Sequence, residues 1–137
     1  MKKYFIYVLV LTIFIGLTAG GCGVRELSDD KKGDVDYTVV PEEDLPETLK
    51  GAIAERMTKP FKLSYVDKDE LYLVTGYGEQ PSGGYSVVIN DLYLTDNTIV
   101  FETTLVGPDE SDNVSSGTTY PYIVVKTEYI DYEVVFK

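Results

Sequence analysis

A chain of 137 residues supports one modest domain with a small core, and its formal charge of −11 makes nucleic acid and anionic lipid headgroups poor partners. If residues 1–21 are removed, 10 basic residues face the same 23 acidic ones, which gives −13. Histidine and tryptophan are absent and cysteine occurs once, so a Cys/His zinc site, a Ser-His-Asp triad and an internal disulfide are excluded by inventory.

Met1-Lys2-Lys3 supplies a short positive start, Tyr4 to Leu17 is almost uninterrupted apolar sequence, and Thr18-Ala19-Gly20-Gly21 are small residues ending at Cys22. This is the plan of a secretory signal peptide over residues 1–21, and its apolar run is shorter than the roughly 20 residues of a spanning helix. The small residues before a lone cysteine resemble a bacterial lipobox, although Ala19 stands where the commonest lipoboxes have leucine. That resemblance implies cleavage ahead of Cys22, a diacylglycerol on its sulfur, and acyl chains such as palmitate. At roughly 0.8 kcal/mol per buried methylene, two or more chains would hold the protein on the extracytoplasmic face of a cell membrane. Residues 22–43 are acidic and short of large apolar side chains, with Ser28-Asp29-Asp30-Lys31-Lys32-Gly33-Asp34 at their middle, and are expected to form a flexible tether.

The folded domain is expected over residues 44–137. Asp44-Leu45-Pro46-Glu47 opens a helix as a capping box, and Leu49, Ala52, Ile53 and Met57 give it one apolar stripe up to Lys59-Pro60. Phe61 to Val66 and Leu71 to Thr75 alternate in polarity around Asp67-Lys68-Asp69-Glu70, which predicts a hairpin.

The stretch Gly76-Tyr77-Gly78-Glu79-Gln80-Pro81-Ser82-Gly83-Gly84-Tyr85-Ser86 concentrates turn-forming residues between strand-forming runs and reads as a sharp backbone reversal. The long strand after it, Tyr85 to Leu94, changes apolar phase near Asn90-Asp91, which predicts a β-bulge. Asp96-Asn97 predicts a two-residue turn of the primed type before a strand over Thr98 to Val106. Gly107 to Thr119 carries a single aliphatic residue, Val114, and is expected to be an exposed, mobile loop. Its Asp109, Glu110, Asp112 and Asn113 offer oxygen ligands but lack the spacing and the turn glycine of a calcium loop. Tyr120 to Thr127 is apolar on both parities, with Pro121 suited to a strand start, and Tyr129 to Lys137 forms a last strand. The fold class is therefore mainly β with one N-terminal helix: a small sandwich or partly open barrel of about six, mostly antiparallel strands.

No catalytic constellation appears, and neither a metal nor a cofactor is implied. The glycine-rich stretch has no Gly-Lys-Ser/Thr ending and leads into a strand rather than a helix, so it fits neither a P-loop nor a dinucleotide fingerprint. Binding remains: Tyr77, Tyr85, Tyr120 and Tyr122 flank the reversal and the late strand, and tyrosine serves equally as a half-buried sheet residue and as a contact residue.

The reversal from Gly76 to Ser86, followed by Tyr120-Pro121-Tyr122-Ile123-Val124-Val125, resembles the carboxy-terminal domain of the protease complex subunit PrcB family, over roughly Leu71 to Lys137. The resemblance implies a non-catalytic envelope lipoprotein, anchored through Cys22, that associates with a secreted or surface protease and supports its assembly or stability. The protein-binding residues it points to are Gln80, Pro81, Ser82, Gly83, Gly84, Tyr85, Tyr120 and Tyr122. Gln80 to Tyr85 also looks like the Asn-Pro-Thr-Thr-Gly-Tyr loop of chagasin-type cysteine protease inhibitors. This chain lacks the tryptophans of that pattern, so inhibition is the alternative, alongside an extracytoplasmic ligand-binding module.

Overall fold

The structure is a computed structural model that describes residues 30–137. The expected signal segment, Cys22 and the first part of the expected tether lie outside these residues. Three layers stack in the described part: helix α1 (Glu47–Arg56), a sheet beneath it, and a second sheet beneath that. The middle sheet runs in the order β2 (Thr38–Val39), β9 (Tyr122–Glu128), β4 (Glu70–Tyr77), β3 (Pro60–Asp67). The outer sheet runs β1 (Gly33–Asp34), β6 (Ser86–Leu94), β7 (Thr98–Val106), β10 (Glu133–Phe136), and β5 (Gln80–Ser82) with β8 (Ser116–Thr119) makes a two-stranded ribbon. No sheet closes into a barrel, so the architecture is a β-sandwich with one helix, as the strand pattern predicts.

Strand β4 explains the layering. Its residues 71–76 are all buried, because Leu71 and Leu73 point toward the outer sheet while Tyr72 and Val74 point toward the helix. Between the sheets Leu71, Leu73 and Val125 meet Leu92, Ile99 and Phe101, and the fully buried Phe101 ring contacts Phe136 edge-on at 6.2 Å between centroids. On the other face Leu45, Leu49 and Ile53 cover Tyr72, Val74 and Val124. The predicted helical stripe thus packs on its own sheet.

Several local expectations hold. The β3–β4 hairpin pairs Asp67 with Glu70 across Lys68-Asp69, with Lys68 in the left-handed region at φ 57°. The β-bulge stands where the apolar phase slips: Ile89 opposes Thr103 and Asp91 opposes Glu102, which leaves Asn90 as the extra residue. Pro121 immediately precedes β9, where its missing N–H interrupts no ladder.

Others are corrected. The capping box does not form: Pro46, with ψ 141°, is the N-cap, and Asp44 lies upstream in a 3-10 turn (Glu42–Asp44). The ring of Pro46 bars its predecessor from the α region, so Leu45 stays extended at ψ 144° and the helix begins only at Glu47. The Asp96-Asn97 turn is not primed, since among the described residues Lys68 is the sole non-glycine with positive φ. Thr95 replaces that geometry with its side chain: its Oγ1 accepts from the N–H of Asn97 at 3.3 Å and of Thr98 at 3.0 Å, and it shares a hydrogen bond with the Thr98 hydroxyl at 2.5 Å. The last strand begins at Glu133 rather than Tyr129 and pairs parallel to β7, because β8 and β9 intervene and the chain returns to the outer sheet by a crossover rather than a hairpin.

The expected tether is corrected most. Gly33 and Asp34 pair with Leu94 and Tyr93 in the outer sheet, Thr38 and Val39 pair with Lys126 and Val125 in the middle one, and the Val40 N–H donates to the Val124 carbonyl. Between them Val35, 8 % exposed, enters the core. A few apolar residues in an acidic stretch suffice to strap the chain across one open side of the sandwich, because the sheet edges there supply the hydrogen bonds. Lys31 reinforces the strap through ion pairs with Asp34 (2.6 Å) and Asp91 (3.1 Å), and its ammonium stands 5.5 Å from the centre of the Tyr93 ring.

Val35→Ala is therefore expected to lower the unfolding free energy by roughly 1–3 kcal/mol, through lost apolar burial and a residual cavity, in urea titrations. A change indistinguishable from zero would return residues 33–40 to a tether.

Candidate functional site

The glycine-rich reversal is a continuation of the middle sheet. Gly76 pairs with Tyr122, the Tyr77 N–H donates to the Pro121 carbonyl at 3.0 Å, Gln80 then pairs with Thr119, and Ser82 with Ser116. The register stays within one residue across the break, so β4–β5 and β8–β9 make one long antiparallel ribbon that kinks at Gly78 (φ 74°). Glycine is needed at that kink: a Cβ at Gly78 would stand 2.8 Å from the Pro60 ring.

At the tip, the ribbon is tied by a few polar contacts. The Gly83 N–H donates to the Ser115 carbonyl at 3.0 Å, the Thr119 hydroxyl donates to the Ser82 carbonyl at 2.7 Å, and the Gln80 amide donates to the Tyr77 carbonyl at 3.2 Å. At Gly84, with φ 85°, Val114 and Pro108 occupy the space a Cβ would need. The 107–119 segment, expected to be an exposed and mobile loop, is thus joined to the reversal over its second half through β8. Its single aliphatic residue, Val114, carried the only sequence signal for this: an isolated apolar side chain in a polar loop needs something to sit on. Within its first half the Asp109 N–H donates to an Asp112 carboxylate oxygen at 2.8 Å and the Asp112 N–H returns a bond to the Asp109 carbonyl at 2.9 Å, which makes a local turn.

Pro81 and Gly84 are exposed, and Gln80, Ser82, Gly83, Tyr85 and Tyr120 are half-buried. The reversal and Tyr120 come together because Tyr120 follows directly on the Gln80–Thr119 pair. Tyr122 is brought beside Gly76 by its backbone, but its side chain packs against the helix cluster, where with Glu42, Leu45, Lys50, Ile53, Ala54 and Met57 it lines a small cleft of about 80 Å³. The other tyrosines diverge too. The Tyr77 hydroxyl shares a 2.6 Å hydrogen bond with Thr103 across the two sheets, and the Tyr85 ring lies over Gly107. Tyr77 and Tyr122 face opposite sides of the middle sheet, because Tyr122 pairs with Gly76 and successive residues of a strand point to opposite faces.

Beneath the ribbon, a groove of about 480 Å³ runs between the sheets along Pro60, Phe61, Lys62, Thr75, Tyr77 and Thr103. Thr75, 5 % exposed, has a hydroxyl without a hydrogen-bond partner there. Among the described residues no three carboxylate, histidine or cysteine side chains converge as metal ligands would.

Burial pushes the Tyr122 phenol above its ordinary value of 10.0, with the Glu42 carboxylate adding to the effect, and burial followed by the Glu70 carboxylate does the same to Tyr72. The folded state then keeps these protons to higher pH than the unfolded chain does. Stability from this source is intact below pH about 10 and falls as the pH rises beyond it, first because the unfolded state ionises. Tyr122→Phe is expected to make that alkaline decline shallower in unfolding free energies measured between neutral and strongly alkaline pH; an unchanged slope would contradict the assignment.

A methyl group at Gly84 would stand 2.5 Å from Val114 Cγ1 in a conformation that L residues avoid. Gly84→Ala is expected to cost about 1–3 kcal/mol, with Val114→Ala in the same chain restoring the part due to the clash but not the part due to φ. Equal stabilities for the single and double variants in thermal unfolding would show that the two residues are not packed together.

No curated protein and no solved structure matches the chain. The family described as PrcB C-terminal matches residues 71–128, which is 58 of the 137 positions. The match starts within β4, ends with β9, and so encloses the whole kinked ribbon and the β6–β7 hairpin between its arms while leaving out α1, β3 and β10. What the chain is similar to, over residues 71–128, is therefore the PrcB C-terminal family.

Proposed function

We propose that this protein is a non-catalytic subunit that binds a protease of the cell envelope and supports its assembly or stability, using the tip of the kinked ribbon. The similarity of residues 71–128 to the PrcB C-terminal family supports the protease association, and the exposure of Pro81 and Gly84 at the end of a tied, preorganised reversal supports its placement there. A tip already held by Gly83–Ser115 and Thr119–Ser82 hydrogen bonds has less conformational entropy to lose on docking. Gln80, Pro81, Ser82, Gly83, Gly84, Tyr85 and Tyr120 form the contact surface in this reading. Tyr122 serves it indirectly, by fixing the start of β9 against the helix. Cys22 is the site of the lipid anchor, which keeps the domain on the extracytoplasmic face of the membrane.

Crosslinking of the intact chain in membranes of the cells that make it is expected to capture a protease, and Pro81→Arg, at an exposed position, to abolish the capture without lowering thermal stability. Capture that survives both Pro81→Arg and Gly83→Asp/Tyr85→Ala would remove the tip from the interface. Unchanged or prolonged peptidase activity in the captured complex supports an assembly role, whereas its loss would show an inhibitor. In the same cells Cys22→Ser is expected to move the protein out of the membrane fraction.

A further inference from the structure

Among the described residues, the outer sheet has one long edge without a neighbouring strand. Strand β1 pairs with β6 only at Leu94 and Tyr93, and the Val35 N–H adds a bond to the Leu92 carbonyl; among the described residues no strand lies beside Ser86–Asp91 on that side. The other edges are blunted by the usual devices. Strand β3 carries Pro60 and Lys62 and is followed by Lys68, and β10 is four residues long and bears Glu133. Ahead of its bulge at Asn90, β6 offers Ser86-Val87-Val88-Ile89, which contains neither a charge nor a proline. On the outward face of this stretch Val88 is 43 % exposed, and Val106, which pairs with Ser86 on the neighbouring strand, is 46 % exposed.

We propose that this edge of β6 accepts an extended segment of the partner protein as an added antiparallel or parallel strand, apolar where it meets Val88 and basic at its flanks. This rests on the reading of the protein as a protease-complex subunit, since the edge begins directly after the Gly83-Gly84-Tyr85 tip and extends the same surface. Charge selects the occupant. Asp109, Glu110 and Asp112 follow the Val106 that pairs with Ser86 at one end of the edge, and Glu102 stands at the other beside an Asp91 already paired with Lys31, on a chain of net charge −11. A second copy of the same acidic chain would bring like charges together, while a segment with lysine or arginine on either side of an apolar centre is attracted. Backbone hydrogen bonds supply the binding, and the exposed valines supply the preference for an apolar side chain.

The test uses the full chain in detergent and the probe acetyl-Lys-Thr-Val-Thr-Val-Thr-Lys-amide. Hydrogen exchange at the amides of residues 86–90 is expected to slow by roughly tenfold or more when the peptide saturates. The same peptide with alternate backbone N-methylation, or with glutamate for lysine, is expected to give no slowing, and Val88→Lys, at an exposed position, to weaken the binding about tenfold. Three results overturn the inference: protection of β3 or β10 instead, amides of 86–90 already slow in the free monomer because the chain's own N-terminal residues cover them, or protection that grows with protein concentration without peptide because a second copy does. Protease capture separates the two readings. A protease captured equally by Val88→Lys sinks the edge and leaves the subunit role, whereas peptide protection in a chain that captures no protease sinks the subunit role and leaves the edge.

Discussion

Strand β4 is buried on both faces, and the rest of the structure follows from that one constraint. A strand that shows apolar side chains to both sides requires two covers, and here they are the outer sheet on one side and α1 on the other. Its pairing with β9 is continuous from Glu70 to Gly76. Because both strands are held rigidly within the middle layer, whatever their ends carry is presented at a fixed place on the molecule. The reversal at Gln80 to Tyr85 is what the β4 end carries, and Tyr120 is what the β9 start carries.

The conversion of a sheet ladder into a projecting ribbon needs a break that does not lose register. Gly78 and Pro121 make that break from opposite strands. Glycine takes a positive φ that would drive a Cβ into Pro60, while proline brings no N–H to be left unsatisfied and lends its carbonyl to Tyr77. Beyond the kink, β5 and β8 pair with each other in a ribbon separate from the two four-stranded sheets. Its order comes from the Ser82, Gly83, Ser115 and Thr119 hydrogen bonds and from Val114 closing over Gly84, which are small contributions individually but act on a short span. The reversal therefore combines rigid support, local ties and an exposed end, the features on which the proposed docking role rests.

The opposite pole is organised by charge and by the strap. Asp34, Asp36, Glu70 and Glu128 line shallow clefts there, with Lys126 paired to Glu70 at 3.4 Å. The strap of residues 33–40 joins the two sheets at this end, and Lys31 neutralises part of the acidity beside Asp91. Such exposed pairs contribute little individually. The burial of Val35 is the firmer hold, since it places an apolar side chain in the same cluster as Phe101. The first described residues therefore enter the domain at the end remote from the ribbon tip, which leaves the tip directed away from that point of entry.

The features that the sequence determined are those set by neighbours along the chain. Alternation fixed the β3–β4 hairpin, a slip in apolar phase located the bulge at Asn90, and clustered glycine with Pro81 marked the reversal, because φ restrictions and side-chain periodicity act over a few residues. The tertiary structure decided everything that depends on distant partners. It set β10 parallel to β7, turned an acidic stretch into a strap by offering it two sheet edges, seated Val114 on Gly84, and sent Tyr77 and Tyr122 to different layers. None of these could be read from composition, since a strand's partner and the cover on each of its faces are fixed only once the layers have packed.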